Sequence, residues 1–499
     1  MAGASAGGVA DTGDRAPGAE GRVGIGPAFV AAAVQAVVLS VGSIGYGFHR
    51  DELYFRMFAP AWGYVDQPPL TPWLARTFTS LVADEAWAVR IPATLASAAS
   101  VVLLGLITRE VGGDRRAVAL AAWGGAFAGL PLALGHVLLT STIDLPFTLA
   151  VVLTVLLALR ASPRWWLAAG ALAGLAMWNR LLVPVLLLGV VLGLALLGPR
   201  GPLRTRWPWL GGLVAVVVGA PNLAYQWLSD WPQLAMGAAL SESNGTDVRA
   251  DLPLILLIAI GPPLVVVWLA GIREAWRLPR ARWLLVPAAL LLVFTVVSGA
   301  QPHYPLALLA TLYAVGCVPV SRWVGDHAWR RVLVVGLVGL NAVVSTVVAL
   351  PVVPVTALGG TPLPDLSILV ADQVGWPRYV GQVAQVAAQA DDPGAVVITS
   401  NYGEAGAVAR FGPALGLPAP YSGQNDLGTG AGPPESTRTV VFVGWQLPDV
   451  EGSFASCSVL ARLDNGVDVD NEEQGAPVAL CRDPLLPWSQ LWPRLAHLD

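Results

Sequence analysis

The sequence predicts a polytopic α-helical membrane protein of about eleven transmembrane helices, followed by a small C-terminal α/β domain. Three observations predict it. Charged residues make up only 12% of the 499 residues and hydrophobic ones reach 55%, whereas a soluble chain carries about 25% charged residues. Apolar runs of near-spanning length recur from residue 23 to residue 351. Beyond about 355 the charges return and the apolar runs shorten to strand length. With 33 acidic and 29 basic residues the net charge is −4. That excludes a basic nucleic-acid binder and an acidic disordered chain.

The elements follow in order. Residues 1–22, rich in Gly and Ala, read as a disordered cytoplasmic tail. The run at about 23–47 is too long for the apolar core of a signal peptide, so it reads as a retained span. Further runs lie at about 91–107, 117–135, 144–160, 165–179, 182–198, 208–222, 252–272, 283–299, 303–319 and 332–351. Several fall short of the ~20 residues of a straight span, so tilted or half-length helices are expected among them. Between 165 and 198, Pro184 and the Asn179–Arg180 pair favour a break over one long helix. Many of the 20 tryptophans sit beside arginines at run ends, among them Trp165, Trp209, Trp276 and Trp329, as in interfacial belts.

Arginine sets the orientation, because the sequence has no lysine. One set of loops carries Arg109, Arg115, Arg116, Arg160, Arg164, Arg200, Arg204, Arg206, Arg273, Arg277, Arg280, Arg282, Arg322, Arg330 and Arg331. The opposite set, before the C-terminal region, carries only Arg50, Arg56, Arg76, Arg90, Arg180 and Arg249. The positive-inside rule then places the N-terminus in the cytoplasm. An odd number of spans places residues 355–499 outside. There, Trp376–Ala390 has helical apolar spacing, with Pro377 suited to a first turn. Ala395–Thr399 and Thr439–Val443 read as buried strands. Cys457 and Cys481 lie in this region, where an oxidising compartment permits a disulfide that spacing alone does not establish. Cys317 lies in an apolar run and reads as inert.

The transmembrane unit, 23–354, carries its chemistry at the outer boundary. Asp51, Glu52 and Asp66 fall within the first outer loop, 48–90, amid Trp62, Tyr64, Pro68 and Pro69. Any one acid at such a boundary reads plainly as a hydrated helix end. Three of them in a loop stiffened by two prolines suit a preorganised site. Asp144 opens the fourth run, where a helix dipole also favours an acid. Arg180 sits inside an apolar stretch and needs an anion, a carboxylate or water. His303 and Tyr304 lie in a short loop on the acids' side and can hydrogen-bond a phosphate or a sugar. Together these groups suit transfer from a lipid-phosphate donor, with a carboxylate as general base and cations on the leaving phosphate. No P-loop, GxSxG, HExxH or CxxC pattern is present. A transporter or lipid flippase is the alternative, but its acids belong near the midplane of repeated halves, and no repeat is seen.

The sequence resembles the GT-C glycosyltransferases of family 39, the protein mannosyltransferase and aminoarabinose transferase type. The likeness covers about 25–490. It rests on Asp51-Glu52, GYVDQPPL at 63–70, Arg90, Asp144, GLAMWNRLLVP at 174–184, QPHYPLAL at 301–308 and SNYGEAGAVARFG at 400–412. The resemblance implies a GT-C fold and an inverting transferase in a bacterial cell membrane. The donor would be a polyprenyl-phosphate sugar, and the acceptor an extracytoplasmic lipid, protein or polysaccharide. By the same resemblance, Asp51 is the general base and Glu52 supports it. Asp66 and Asp144 line the acceptor site or bind a divalent metal ion, the one cofactor implied. Arg90 and Arg180 handle the phosphate, with His303 and Tyr304 near the donor head group. One position departs: many relatives carry lysine directly before the two prolines, where this chain has the neutral Gln67. The donor phosphate then depends on Arg180 or His303.

Overall fold

The computed structural model describes residues 23–243, 245–299 and 301–499; the tail expected over residues 1–22 lies outside them. Apolar helices occupy the chain from Gly26 to Ala349, and a five-stranded sheet with flanking helices follows. Five helices are long and apolar enough to cross a bilayer: Ala86–Glu110, Thr140–Arg160, Arg206–Leu228, Leu306–Val324 and Ala328–Ala349. Two further stretches qualify as bent pairs, Arg115–Ala126 with Gly129–His136 (58°) and Val248–Ile260 with Pro262–Arg277 (77°). The other apolar helices, Gly26–Gly42, Trp165–Ala176, Val183–Leu196 and Arg282–Ser298, have 10–17 residues. The expected count of eleven spans is therefore not confirmed by helix length. Hydropathy counts apolar residues but does not register where the backbone turns.

The sharper bend has a local cause. Gly261 takes φ +90°, outside the helical region, and Pro262 and Pro263 follow without N–H groups to continue the ladder. The break expected near Arg180 is also present. The helix Trp165–Ala176 runs out into a turn that holds Asn179, and the next helix starts at Val183 with Pro184 in its first turn.

The C-terminal sheet comprises β1 (Val396–Thr399), β2 (Tyr421–Ser422), β3 (Thr439–Val443), β4 (Phe454–Arg462) and β5 (Pro477–Pro484), in the order β2–β1–β3–β5–β4. β1 pairs in parallel with β2 and β3, and β5 pairs antiparallel with β3 and β4. Cys457 and Cys481 oppose each other across β4 and β5 and form a disulfide. The helix Trp376–Ala387 packs its apolar stripe on this sheet. The same core continues without interruption into the segment 48–90: Phe48, Leu53, Tyr54 and Phe55 pack with Trp376, Val383, Val408 and Val441. The loop helix is thereby clamped between the apolar helices and the sheet.

Candidate active site

The short helix Arg50–Met57 carries both acids that follow the first apolar run. A capping box fixes its start: His49 Nδ1 accepts from the Asp51 N–H at 3.2 Å, and Glu52 Oε2 accepts from the His49 N–H at 2.9 Å. Successive helical residues point about 100° apart, so the two acids face different surroundings. Glu52 turns into the protein and is fully buried. Its Oε1 accepts from Arg90 Nε at 3.0 Å and from the Leu138 N–H at 3.1 Å, and its Oε2 accepts from Arg90 Nη2 at 3.0 Å. Arg90, also fully buried, donates further to the Gly47 carbonyl and to Gln373 Oε1. The sequence leads Arg90 to be expected at the phosphate, and the structure places it apart from the other candidate phosphate groups. Its guanidinium is sealed against Glu52 and does not line the cavity described next.

Asp51 turns the other way, onto a cavity of about 1590 Å³. Its walls are largely apolar, with Leu134, Val185, Leu254, Ile258 and Val344 among them, and both bends of the helix pairs contribute, through Gly129 and through Gly261–Pro263. The cavity gathers Asp51, Asp66, Gln67, Arg180, His303 and Tyr304 from four stretches of chain. Glu52, Arg90 and Asp144 do not line it.

Arg180 is held from three sides. Its Nη2 donates to Thr140 Oγ1 at 2.6 Å, its Nη1 lies 3.1 Å from His303 Nε2, and its guanidinium sits 4.7 Å from the Tyr304 ring centroid. The turn beneath is pinned by Asn179, which accepts from Thr71 Oγ1 and donates to the Thr140 carbonyl. Asp144, one turn along from Thr140, lies within electrostatic reach of Arg180. Among the described residues no carboxylate forms an ion pair with Arg180, so a cation faces a largely apolar cavity and offers an anion site.

The same cavity carries an acidic group as well. Burial pushes the Asp51 carboxyl above the usual carboxylate range, opposed by Arg50 and by a hydrogen bond from Tyr402. Burial, and then the charge of Asp426, push Asp66 up to about 7. Asp426 comes from the C-terminal region and accepts from the Val65 N–H at 3.0 Å. Gln67 Nε2 is 3.4 Å from Asp66 Oδ2. Among the described residues no three His, Cys, Asp or Glu side chains are placed to hold a metal ion. The metal site expected at Asp66 and Asp144 is not built: Asp66 has Asp426 and Tyr54 beside it, whereas Asp144 has Arg180.

Sequence reading missed several lining residues, notably Thr140, Tyr54, Tyr402, Asn425 and Asp499. A signal existed for Tyr402. Asn401 and Glu404 spell a capping box that announces a helix start, and the structure shows that box around the helix Tyr402–Phe411. Nothing local told which partner the helix would meet.

Residues 66–225 match the family model described as dolichyl-phosphate-mannose-protein mannosyltransferase. The structure of ArnT from Cupriavidus metallidurans in the apo state superposes with a TM-score of 0.61 at 16% identity, over 91% of this chain and 97% of that one. The fold is that of the GT-C glycosyltransferases. The same ArnT bound to undecaprenyl phosphate gives a TM-score of 0.61 at 14% identity, over 90% of this chain and 97% of that one. The arabinofuranosyltransferase AftD from Mycobacteria shares this GT-C fold at 15% identity and a TM-score of 0.51, over 92% of this chain but 40% of that one. No curated protein matches the sequence. The matched segment holds Asp66, Gln67, Arg90, Asp144 and Arg180 and begins after Asp51.

Proposed function

We propose that this membrane protein transfers a sugar from a polyprenyl-phosphate donor to an acceptor hydroxyl, with inversion at the sugar carbon. The observation that carries the reading is the single cavity in which Asp51 and Arg180 stand among apolar walls. Asp51 removes the acceptor proton as the acceptor oxygen attacks the anomeric carbon. The bond from that carbon to the phosphate oxygen breaks, and the polyprenyl phosphate leaves toward Arg180, whose charge and planar donor fork suit it. Apolar walls offer the isoprenoid tail a place beside the charges. An undecaprenyl phosphate occupies the ArnT structure that shares this fold, which favours the same donor class here. Glu52 supports Asp51 through the helix cap it completes. His303 and Tyr304 frame Arg180 on the phosphate side.

In this reading residues 23–354 form the transmembrane catalytic unit and 355–499 an extracytoplasmic one. Arginine-rich loops on the opposite side support that orientation, and so does the Cys457–Cys481 disulfide, which suits an oxidising compartment. The acceptor is an envelope lipid, protein or polysaccharide. The test is Asp51→Asn, assayed in proteoliposomes against a panel of polyprenyl-phosphate sugars. Turnover should fall by about 100- to 10,000-fold at an unchanged melting temperature. Full turnover by the folded variant would remove Asp51 from the chemistry.

A further inference from the structure

The Asp51 carboxylate does not stand alone at the cavity. Its Oδ1 accepts a hydrogen bond of 2.9 Å from the Tyr402 hydroxyl, across 351 positions of sequence. Tyr402 begins the helix Tyr402–Phe411 of the C-terminal region and lines the same cavity. Its ring stacks on Tyr54 at 4.5 Å and 27°, and the Arg50 guanidinium lies 4.8 Å from the ring centroid. Its main-chain N–H donates to Gln424 Oε1 at 2.7 Å, and Asn401 caps the helix by accepting from the Glu404 N–H at 2.8 Å. The hydroxyl therefore sits on a ring and a backbone that are both fixed.

The helix reaches Asp51 because two of its residues lack side chains. A Cβ at Gly406 would stand 2.7 Å from the Leu53 carbonyl carbon, and one at Gly403 would stand 3.0 Å from Arg50 Cβ. Tyr402–Phe411 thus lies directly against Arg50–Met57, with no layer of side chains between them. Arg50 adds a second tie, since it pairs with Glu472 of the C-terminal region.

We propose that Tyr402 is a positioning residue for Asp51, and that the C-terminal region is therefore a working part of the active site. The inference rests on the reading of Asp51 as general base and deepens it. A base must aim one oxygen lone pair at the acceptor hydroxyl. By occupying Oδ1, Tyr402 stops the carboxylate from rotating and leaves Oδ2 for the proton. A hydroxyl that donates to a carboxylate also favours its ionised form, which a base requires before the reaction. This contact opposes the effect of burial on Asp51.

The experiment compares wild type, Tyr402→Phe and Asp51→Asn as full-length chains in proteoliposomes. It records kcat, the KM for the polyprenyl-phosphate sugar, the pH profile and the melting temperature. Tyr402→Phe keeps the ring and its stacking and loses only the hydroxyl. It should lower kcat by about 10- to 100-fold, leave the donor KM unchanged and move the acid limb of the profile to higher pH. A merely structural tyrosine would not move that limb. A folded Tyr402→Phe with wild-type kcat and acid limb, beside an inactive Asp51→Asn, overturns the positioning role and leaves the base in place. An active Asp51→Asn overturns the base and this inference with it. Should Tyr402→Phe fail to fold, Gly406→Ala, which lifts the helix off Leu53 with the hydroxyl intact, must reproduce both changes, and a normal profile there overturns the proposal.

Discussion

Two acid–arginine pairs start from adjacent residues and end as opposites. Glu52 and Arg90 are both fully buried, and every oxygen of the carboxylate has two donors. Arg90 turns its remaining donors to a carbonyl, an amide oxygen and His136, so nothing in this pair is available to a ligand. Asp51 and Arg180 face a shared cavity instead, and each keeps capacity that its protein partners leave open. A saturated, dry ion pair fixes architecture, because removing one partner strands the other in a low dielectric. An incompletely partnered charge over an apolar cavity marks where a ligand's charge belongs. The difference lies in hydrogen-bond saturation, not in residue type.

The largest contrast should come from the two arginines. Arg180→Ala should lower kcat/KM for the donor by about 100- to 1,000-fold with little change in melting temperature. Arg180→Lys should recover part of that, because a point charge replaces the fork but cannot reproduce its geometry. Arg90→Ala should do the reverse. It strands Glu52 and costs about 3–5 kcal/mol of stability, read as a large drop in melting temperature, while the molecules that remain folded keep most of their turnover. If Arg90→Ala were stable and inactive, the division between an architectural pair and a working pair would fail.

That division also explains what the sequence disclosed. Asp51, Asp66 and Arg180 were legible because a charge at the edge of, or inside, an apolar run stands out, and Pro184 marked the break beside Arg180. Arg90 was grouped with Arg180 because a sequence shows that a charge is near a membrane boundary but not which way it turns. On a helix, neighbours separate by about 100°, so spacing alone gave Asp51 and Glu52 no different surroundings, and only the family resemblance assigned them different roles. Tyr402 was out of reach for another reason. Its capping box is local, whereas its partner Asp51 lies across a tertiary interface made by Gly403 and Gly406. β1 and β3 were visible as buried apolar runs, but β4 is mostly exposed and β5 opens and closes on proline, so neither carries a clean strand signal. The bend at Gly261 hid inside a run that hydropathy alone joins into one span.

A smaller effect tests whether the acidic side is tuned as the arginine side is. Gln67 Nε2 stands 3.4 Å from Asp66 Oδ2, and burial with Asp426 pushes Asp66 up to about 7. A carboxyl raised in the folded state is held protonated, so its contribution to stability is complete below its unfolded value of 3.8 and is lost as pH rises through about 7. Gln67→Lys sets a cation beside the ionised carboxylate and should pull its titration down. The melting temperature of the variant should then fall less steeply than that of wild type between about pH 4 and about pH 7. The added cation also lines the cavity, so the KM for the polyprenyl-phosphate donor should fall a few-fold. A wild-type slope with a lowered KM would mean that the lysine turns to the donor and leaves Asp66 alone. A flattened slope with an unchanged KM would confine the donor phosphate to the Arg180 side, which is where the saturation of the other charges already directs it.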